Sequence, residues 1–190
     1  ANVAVGYRAC KNNNSSYGVF IGDRAASNGI VGGEKNVAVG HYSLFALTTG
    51  AYNTAIGANT LDDNTTASHN TAVGNGSLAA NTTGTQNTAV GSLALSSITT
   101  SSTCTAFGYS SLKLTTAGQN SGFGANTLMA NTTGGQNTAI GYNSLRQSTT
   151  ADNNVAVGWR TMDANTTGAE NTAVGKSALY ANTTGASNVA

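Results

Sequence analysis

The sequence predicts an all-β fold, a parallel β-solenoid of about eleven coils. The first observation behind this prediction is a tandem repeat of 17 residues that runs along the whole chain. The second is a β-branched or aromatic residue directly before a glycine in every copy, a residue class that strands favour. The third is turn chemistry at the end of the unit, most often Asn-Thr-Thr-Gly. Stacking such units buries side chains that one unit could not bury alone.

The repeat is defined by the pentapeptide Asn-Thr-Ala-Val-Gly and its variants. The consensus unit is N-T-A-V-G-x-x-S-L-x-x-N-T-T-G-x-x, and a twelfth copy begins at Asn188. The glycines that end the pentapeptide are Gly6, Gly22, Gly40, Gly57, Gly74, Gly91, Gly108, Gly124, Gly141, Gly158 and Gly175. We expect a single repeat array over residues 1–190, cut from a longer fibre, with irregular copies at 1–35 and 104–124.

Each unit is interpreted as strand, corner, second short strand and turn. In the first strand, the residue before the glycine and the residue two positions earlier share one face, and a small Ala between them lies on the other. We expect the valine and isoleucine face to be buried, and the small face (Ala55, Ala72, Ala89, Ala139, Ala173) to let chains approach closely. A second apolar column, also expected to be buried, is Leu44, Leu61, Leu78, Leu95, Leu112, Leu128, Leu145, Met162 and Leu179, with Cys10 and Ala26 in the first two copies.

Polar positions also repeat in columns. The recurring glycine predicts either a positive φ or a place with no room for a Cβ atom. The first Asn of the unit predicts a ladder of amides bonded up and down the stack: Asn2, Asn36, Asn53, Asn70, Asn87, Asn137, Asn154 and Asn171. Charged residues follow the glycine or the leucine, and we expect their loops to point outward: Arg8, Arg24, Arg160, Lys176, Lys11, Asp62, Asp63, Lys113, Arg146 and Asp163.

Composition excludes several classes of partner. Charged residues make up 8% of the chain and the formal net charge is +1, so neither nucleic acid nor an anionic membrane surface is indicated. No apolar run approaches the ~20 residues of a membrane span. No signal peptide is visible at Ala1. Hydrophobic residues make up 39% of the chain and recur on a fixed period, which argues against disorder.

The sequence contains no recognisable catalytic or metal-binding pattern. His41 and His69 stand at variable loop positions without a repeat-positioned carboxylate, which a Ser-His-Asp arrangement requires. The only acidic pair, Asp62-Asp63, is expected on an outward loop. The turns lack the Asp of calcium-binding β-rolls. We therefore expect no enzyme activity, no cofactor, and no catalytic, cofactor-binding or metal-binding residues.

The two cysteines are expected to stay unpaired within one chain. Cys10 falls in the leucine column of the first coil and Cys104 in the asparagine column of the seventh. Between five and six coils separate them, which is roughly 25 Å at ~4.8 Å per coil. A disulfide needs Cα atoms within about 7 Å. We expect Cys10 to behave as a small buried hydrophobe and Cys104 as a substituted ladder residue.

The pentapeptide at Asn36 to Gly40 resembles the head repeats of trimeric autotransporter adhesins, which implies a left-handed β-roll wound into a trimer. The longer unit, as at Leu78 to Gly84, is similar to repeats of tail-fibre proteins from phages and environmental bacteria. A thin core of about three apolar side chains per coil also favours a homotrimer. These resemblances imply a structural and adhesive segment of an extracellular or virion-surface fibre, which presents loops or a distal tip to a host glycan or receptor.

Two alternatives remain open. The first is a bacterial trimeric surface adhesin, at the cell surface rather than on a virion. The second is an ice-binding solenoid, because threonine pairs such as Thr65-Thr66 and Thr82-Thr83 stack along the array. Ice-binding faces place Thr on alternate residues of one strand, whereas adjacent threonines point opposite ways. Ice binding is therefore the weaker alternative.

Overall fold

The structure is a computed structural model that describes residues 1–29 and 32–190, and the only regular elements of these residues are eleven short strands. The strands are β1 Val3–Val5, β2 Val19–Ile21, β3 Val37–Val39, β4 Thr54–Ile56, β5 Thr71–Val73, β6 Thr88–Val90, β7 Thr105–Phe107, β8 Ser121–Phe123, β9 Thr138–Ile140, β10 Val155–Val157 and β11 Thr172–Val174. They form one parallel sheet in sequence order. The predicted parallel β-solenoid is confirmed. The part of the chain described here has no helix that could cross a membrane.

Each repeat copy contributes one coil, and we number the coils by their glycines, from Gly6 in coil 1 to Gly175 in coil 11. Irregular copies keep the strand register: Val3 pairs with Val19, and Thr105 pairs with Ser121. Ile30 and Val31 fall within the irregular copy at 1–35 and lie outside the described residues. Val189 of the twelfth copy bridges to Thr172. Differences in copy length are therefore absorbed outside the sheet.

The prediction of which strand face is buried is wrong. The middle residue of the strand points inward: Ala55, Ala72 and Ala89 are 0% exposed. The flanking residues point outward, so Ile56 remains 41% exposed and Ile140 40% exposed. The small residue faces inward because the interior of a 17-residue coil already holds the leucine and two asparagines. The predicted alternation of residues along the strand is correct, but the buried and exposed faces were assigned the wrong way round.

The leucine column is buried as predicted, but it does not lie on a second strand. Leu61, Leu78 and Leu95 are 0% exposed and form one continuous core with the inward alanines. These leucines have φ of 51° in each case, which is the left-handed region rather than extended backbone. The segment between the glycine and the Asn-Thr-Thr-Gly turn is thus a series of turns. It still bonds to the next coil, as Leu78 N donates to the Ala94 carbonyl at 3.0 Å.

Glycine is required in the pentapeptide for both of the predicted reasons. At Gly91 the backbone φ is 135°, a conformation that residues with a Cβ rarely adopt. A Cβ at Gly91 would also lie 2.4 Å from the carbonyl oxygen of Gly108, the equivalent glycine one coil further along. Any larger residue would therefore push two coils apart.

The predicted asparagine ladder is confirmed. The Asn53 side chain accepts from the Asn70 backbone N–H at 3.1 Å and donates to the Ala67 carbonyl at 2.8 Å, and Asn53 is fully buried. The ladder is interrupted in coil 2, where Gly18 takes the asparagine position: a Cβ there would lie 2.4 Å from the Phe20 ring. Phe20 occupies the place of the inward alanine. A large inward residue is thus accommodated by removing the neighbouring amide.

A second column of asparagines lies at the start of the Asn-Thr-Thr-Gly turn. Asn81 donates to the Gly84 carbonyl at 3.0 Å and Asn131 to the Gly134 carbonyl at 2.8 Å. These asparagines also belong to Asn-x-Thr sequons, and Asn64, Asn81, Asn131 and Asn165 are all 0% exposed. Their amides close turns inside the solenoid and are inaccessible to a glycosyltransferase in the folded chain.

Candidate interaction surfaces

The outward face of the sheet carries only uncharged residues. Its two columns are the first and third residues of β1 to β11, and all of them are Val, Ile, Thr, Ser or Phe. Several are large and apolar yet remain exposed: Ile56 at 41%, Phe123 at 40% and Val174 at 62%. Phe107 and Phe123 stack on neighbouring coils with ring centroids 5.3 Å apart. We call these two columns the outward sheet face.

The outward sheet face is large for an uncharged surface that is exposed on a single chain. Eleven strands at ~4.8 Å give about 50 Å of length, and three extended residues give about 10 Å of width. The resulting area of about 500 Å² lies near the upper end of the largest apolar patches on typical monomers. Such patches commonly mark contact surfaces.

A second surface runs beside the leucine column, where the second and fifth residues after each glycine lie next to each other. In coils 9 to 11 this surface holds a closed cluster of charges. Asp163 accepts from Arg146 Nε and from Arg160 Nε, both at 2.8 Å, and Arg160 donates to the Tyr180 hydroxyl at 2.6 Å. Asp163 is 0% exposed, so the prediction that its loop points outward is wrong for this residue. The hydrogen bond to Asp163 raises the pKa of Arg160 above its ordinary value.

Aromatic rings surround this charge cluster. The Arg160 guanidinium lies 4.8 Å from the centroid of the Tyr180 ring and 5.2 Å from that of Trp159. The Lys176 ammonium lies 5.3 Å from the centroid of the Trp159 ring. These distances are within the range of cation–π attraction. Trp159 and Tyr180 remain 45% and 40% exposed. The carboxylate of Asp163 is therefore buried at the centre of the cluster, while the aromatic rings at its rim face solvent.

The same columns in coils 1 to 3 form an open cavity instead. Its volume is about 330 Å³, and its lining contains three cationic side chains and no acidic one. Arg24 is held in place by a hydrogen bond to the Tyr42 hydroxyl and by its position 5.2 Å from the Tyr42 ring centroid. The lining residues are Arg8, Lys11, Arg24, Ser27, Asn28, Tyr42 and Phe45. We call this the basic cavity.

The two histidines lie on the surface, but not in the isolation expected. His41 Nε2 is 3.5 Å from Asp23 Oδ2, so a carboxylate does approach it. His69 stacks on Tyr52 with ring centroids 4.9 Å apart and planes within 4°. Asp62 is half-buried, and burial together with the Asp63 charge raises its pKa. Nowhere in residues 1–29 and 32–190 do three or more His, Cys, Asp or Glu side chains gather as a metal site would require.

Both cysteines are free, as expected. Cys104 is 0% exposed and stands in the asparagine ladder, where its backbone N–H donates to Asn87 Oδ1 at 2.9 Å. Burial raises the pKa of the Cys104 thiol, although backbone N–H groups of Asn120 and Gln119 bond to it and oppose the rise. Cys10 is only partly buried, less than predicted, and its sulfur accepts from Asn13 Nδ2 at 2.7 Å.

No protein-family model, curated protein or solved structure matches this chain.

Proposed function

We propose that this chain is a structural segment of an extracellular or virion-surface fibre that self-associates through the outward sheet face. The observation that carries the proposal is the exposure of an uncharged, β-branched and aromatic face along all eleven strands. Two copies facing each other would bury about 1,000 Å² in total, the lower limit for a specific protein interface. A third copy would bury more, and a homotrimer is the assembly we propose.

The mechanism of such a segment is geometric. Coils stacked at ~4.8 Å form a rod of roughly 50 Å, which holds a distal tip away from the particle or cell and repeats its outward loops at a constant spacing. Backbone bonds from each coil to the next and the buried asparagine ladder stiffen the rod along its axis. The same properties suit a bacterial trimeric surface adhesin, which is the alternative setting for this architecture.

Charge placed on the outward sheet face tests the proposal. The test variant carries Val73→Lys and Ile140→Lys, four coils apart on that face. The matched control carries Thr83→Lys and Thr150→Lys, which add the same charge at exposed turn positions. Light scattering should return a multiple of 18.9 kDa for the parent and the control, and a monomer mass for the test variant. A folded parent of monomer mass at every concentration would overturn self-association, and a multimeric test variant would move the interface elsewhere.

One observation favours ice binding as a second candidate. The threonines considered from the sequence lie in turns, but β4, β5 and β6 place a different Thr and a Val or Ile on alternate residues of the outward sheet face. A regular flat array of hydroxyl and methyl groups is the feature that ice-binding faces need. Stacked Phe107 and Phe123 interrupt this regularity. Thermal hysteresis in the parent that the Val73→Lys and Ile140→Lys changes abolish would support ice binding. A multimeric parent without hysteresis would support self-association, because a face buried between copies cannot also contact ice.

A further inference from the structure

The basic cavity has an internal counterpart in the same chain. Lys11, Arg24, Ser27 and Phe45 occupy the same repeat positions as Arg146, Arg160, Asp163 and Tyr180, respectively, counted from the glycines of their coils. In coil 10 the fifth residue after the glycine is Asp163, the acid that Arg146 and Arg160 bind. In coil 2 the equivalent residue is Ser27, so the basic cavity has the cationic side chains of its counterpart but lacks the carboxylate.

The backbone is bonded in the same way at the two places. Arg24 N donates to the Tyr7 carbonyl at 2.8 Å, and Arg160 N donates to the equivalent Tyr142 carbonyl at 2.9 Å. Ala26 N donates to the Ser43 carbonyl at 2.9 Å, and Met162 N donates to the equivalent Ala178 carbonyl at 3.0 Å. The side chains of the basic cavity therefore start from positions that, in coils 9 to 11, enclose a carboxylate.

In the described part of the chain no carboxylate lies within 4 Å of the charged nitrogens of Arg8, Lys11 or Arg24. Asp23, the nearest acid in sequence, directs its Oδ2 atom to His41. Asp62 lies in the column of Ser27 but two coils away, about 10 Å along the axis. Arg8 adds a cation at a position where coil 9 has Asn143, so the basic cavity is more positive than its counterpart.

We propose that the basic cavity binds the carboxylate of an acidic sugar, placed where Asp163 lies in the later coils. Arg24 and Lys11 would donate to the carboxylate as Arg160 and Arg146 do to Asp163, in short charge-assisted hydrogen bonds. Ser27 and Asn28 offer hydroxyl and amide groups to sugar hydroxyls, and Phe45 offers an apolar ring. The volume of about 330 Å³ falls within the usual range of small-molecule sites. This site lies within one chain and is independent of self-association.

Calorimetric or NMR titration with glucuronate tests the proposal, with glucose and acetate as comparison ligands at low ionic strength. Glucuronate should bind, glucose should bind at least about tenfold more weakly, and acetate should also be weaker. Equal binding of acetate and glucuronate would overturn the assignment to a sugar. Absence of glucuronate binding would overturn the site.

Two variants of matched size show where the ligand binds. Ser27→Asp supplies the carboxylate from the chain and should lower glucuronate affinity at least about tenfold, while raising the thermal midpoint. Ser27→Asn adds a side chain of the same size without charge and should retain most of the affinity. Equal loss in both variants, or none in Ser27→Asp, would contradict the proposal. Sedimentation of the same samples reports self-association separately, so failure of one idea is not failure of the other.

Discussion

Aspartate placed at two adjacent positions of β6 distinguishes the inward from the outward strand face. Ala89 is 0% exposed and is stacked between Ala72 and Ala106, whereas Val90 is partly exposed on the outward sheet face. Among the buried residues that the structure describes, Asp163 is the one charged residue, so an aspartate at position 89 finds no cation nearby. Ala89→Asp should therefore cost about 3–5 kcal/mol, the usual penalty of an uncompensated buried charge. Val90→Asp should cost about 1 kcal/mol, because only part of a valine's burial is lost.

Urea unfolding at pH 7 measures both costs, in a background of Val39→Lys and Ile140→Lys on the outward sheet face so that association does not contribute. Both lysines lie three strands from β6, too far to pair with either aspartate. A buried aspartate has a raised pKa in the folded state, so the folded chain binds more protons than the unfolded chain. Its penalty should therefore be full above the raised pKa of the folded state, should shrink as the pH falls below that value, and should be gone below the ordinary aspartate pKa. Equal costs for the two variants, or a larger cost for Val90→Asp, would refute the assignment of the strand faces.

Four further substitutions test positions inside the coils or at their edge. Cys104→Asn should stabilise the fold by about 1 kcal/mol, because an amide oxygen would accept from the Asn120 N–H in place of a sulfur, as chemical unfolding can measure. Gly91→Ala should lower the free energy of unfolding by more than about 3 kcal/mol, since its Cβ would meet the Gly108 carbonyl. The control Gly175→Ala, whose Cβ meets nothing within 4 Å, should lower it by about 1–3 kcal/mol through backbone strain alone. Asp62→Asn should raise the thermal midpoint at pH 7, because the raised pKa means that ionised Asp62 is disfavoured in the fold. The gain in thermal midpoint should vanish as the pH falls below 3.8, where the carboxyl is protonated in both states. A gain that persists below that pH would contradict this reasoning.

Sequence alone predicted the repeat period, the strands, the leucine column and the asparagine ladder. Each of them recurs as similar residues at one position of every unit, a pattern that stacking of the units explains. The buried face of the strands was predicted wrongly, because valine outranks alanine as a core residue when hydrophobicity alone is weighed. Coil cross-section decides otherwise, since the interior is too narrow for a branched residue beside the leucine and two amides. Phe20 carried the missed signal: the copy with a large middle residue is the copy that replaces the ladder asparagine by Gly18.

The interaction surfaces could not be predicted from the sequence for a different reason. Arg160 and Asp163 lie in one coil, but Arg146 and Tyr180 come from the coils on either side, so the cluster exists only when columns are stacked. The left-handed backbone of the leucines was equally hidden, because leucine has no local preference for positive φ. Sequence reasoning therefore identified which positions repeat, and stacking determined what each position contacts.

Protection of a single thiol on the outward sheet face tests most directly that copies meet there. Ile56→Cys and the exposed control Thr66→Cys are each placed in a Cys10→Ala background, which leaves buried Cys104 as the other cysteine. In the assembled parent, maleimide should label position 56 at least about tenfold more slowly than position 66. Adding Ile140→Lys and Val157→Lys, which lie on the same face five and six strands from position 56, should bring the two rates together. Equal rates in protein that remains multimeric would contradict the account, because the outward sheet face would then be open to solvent in the assembly.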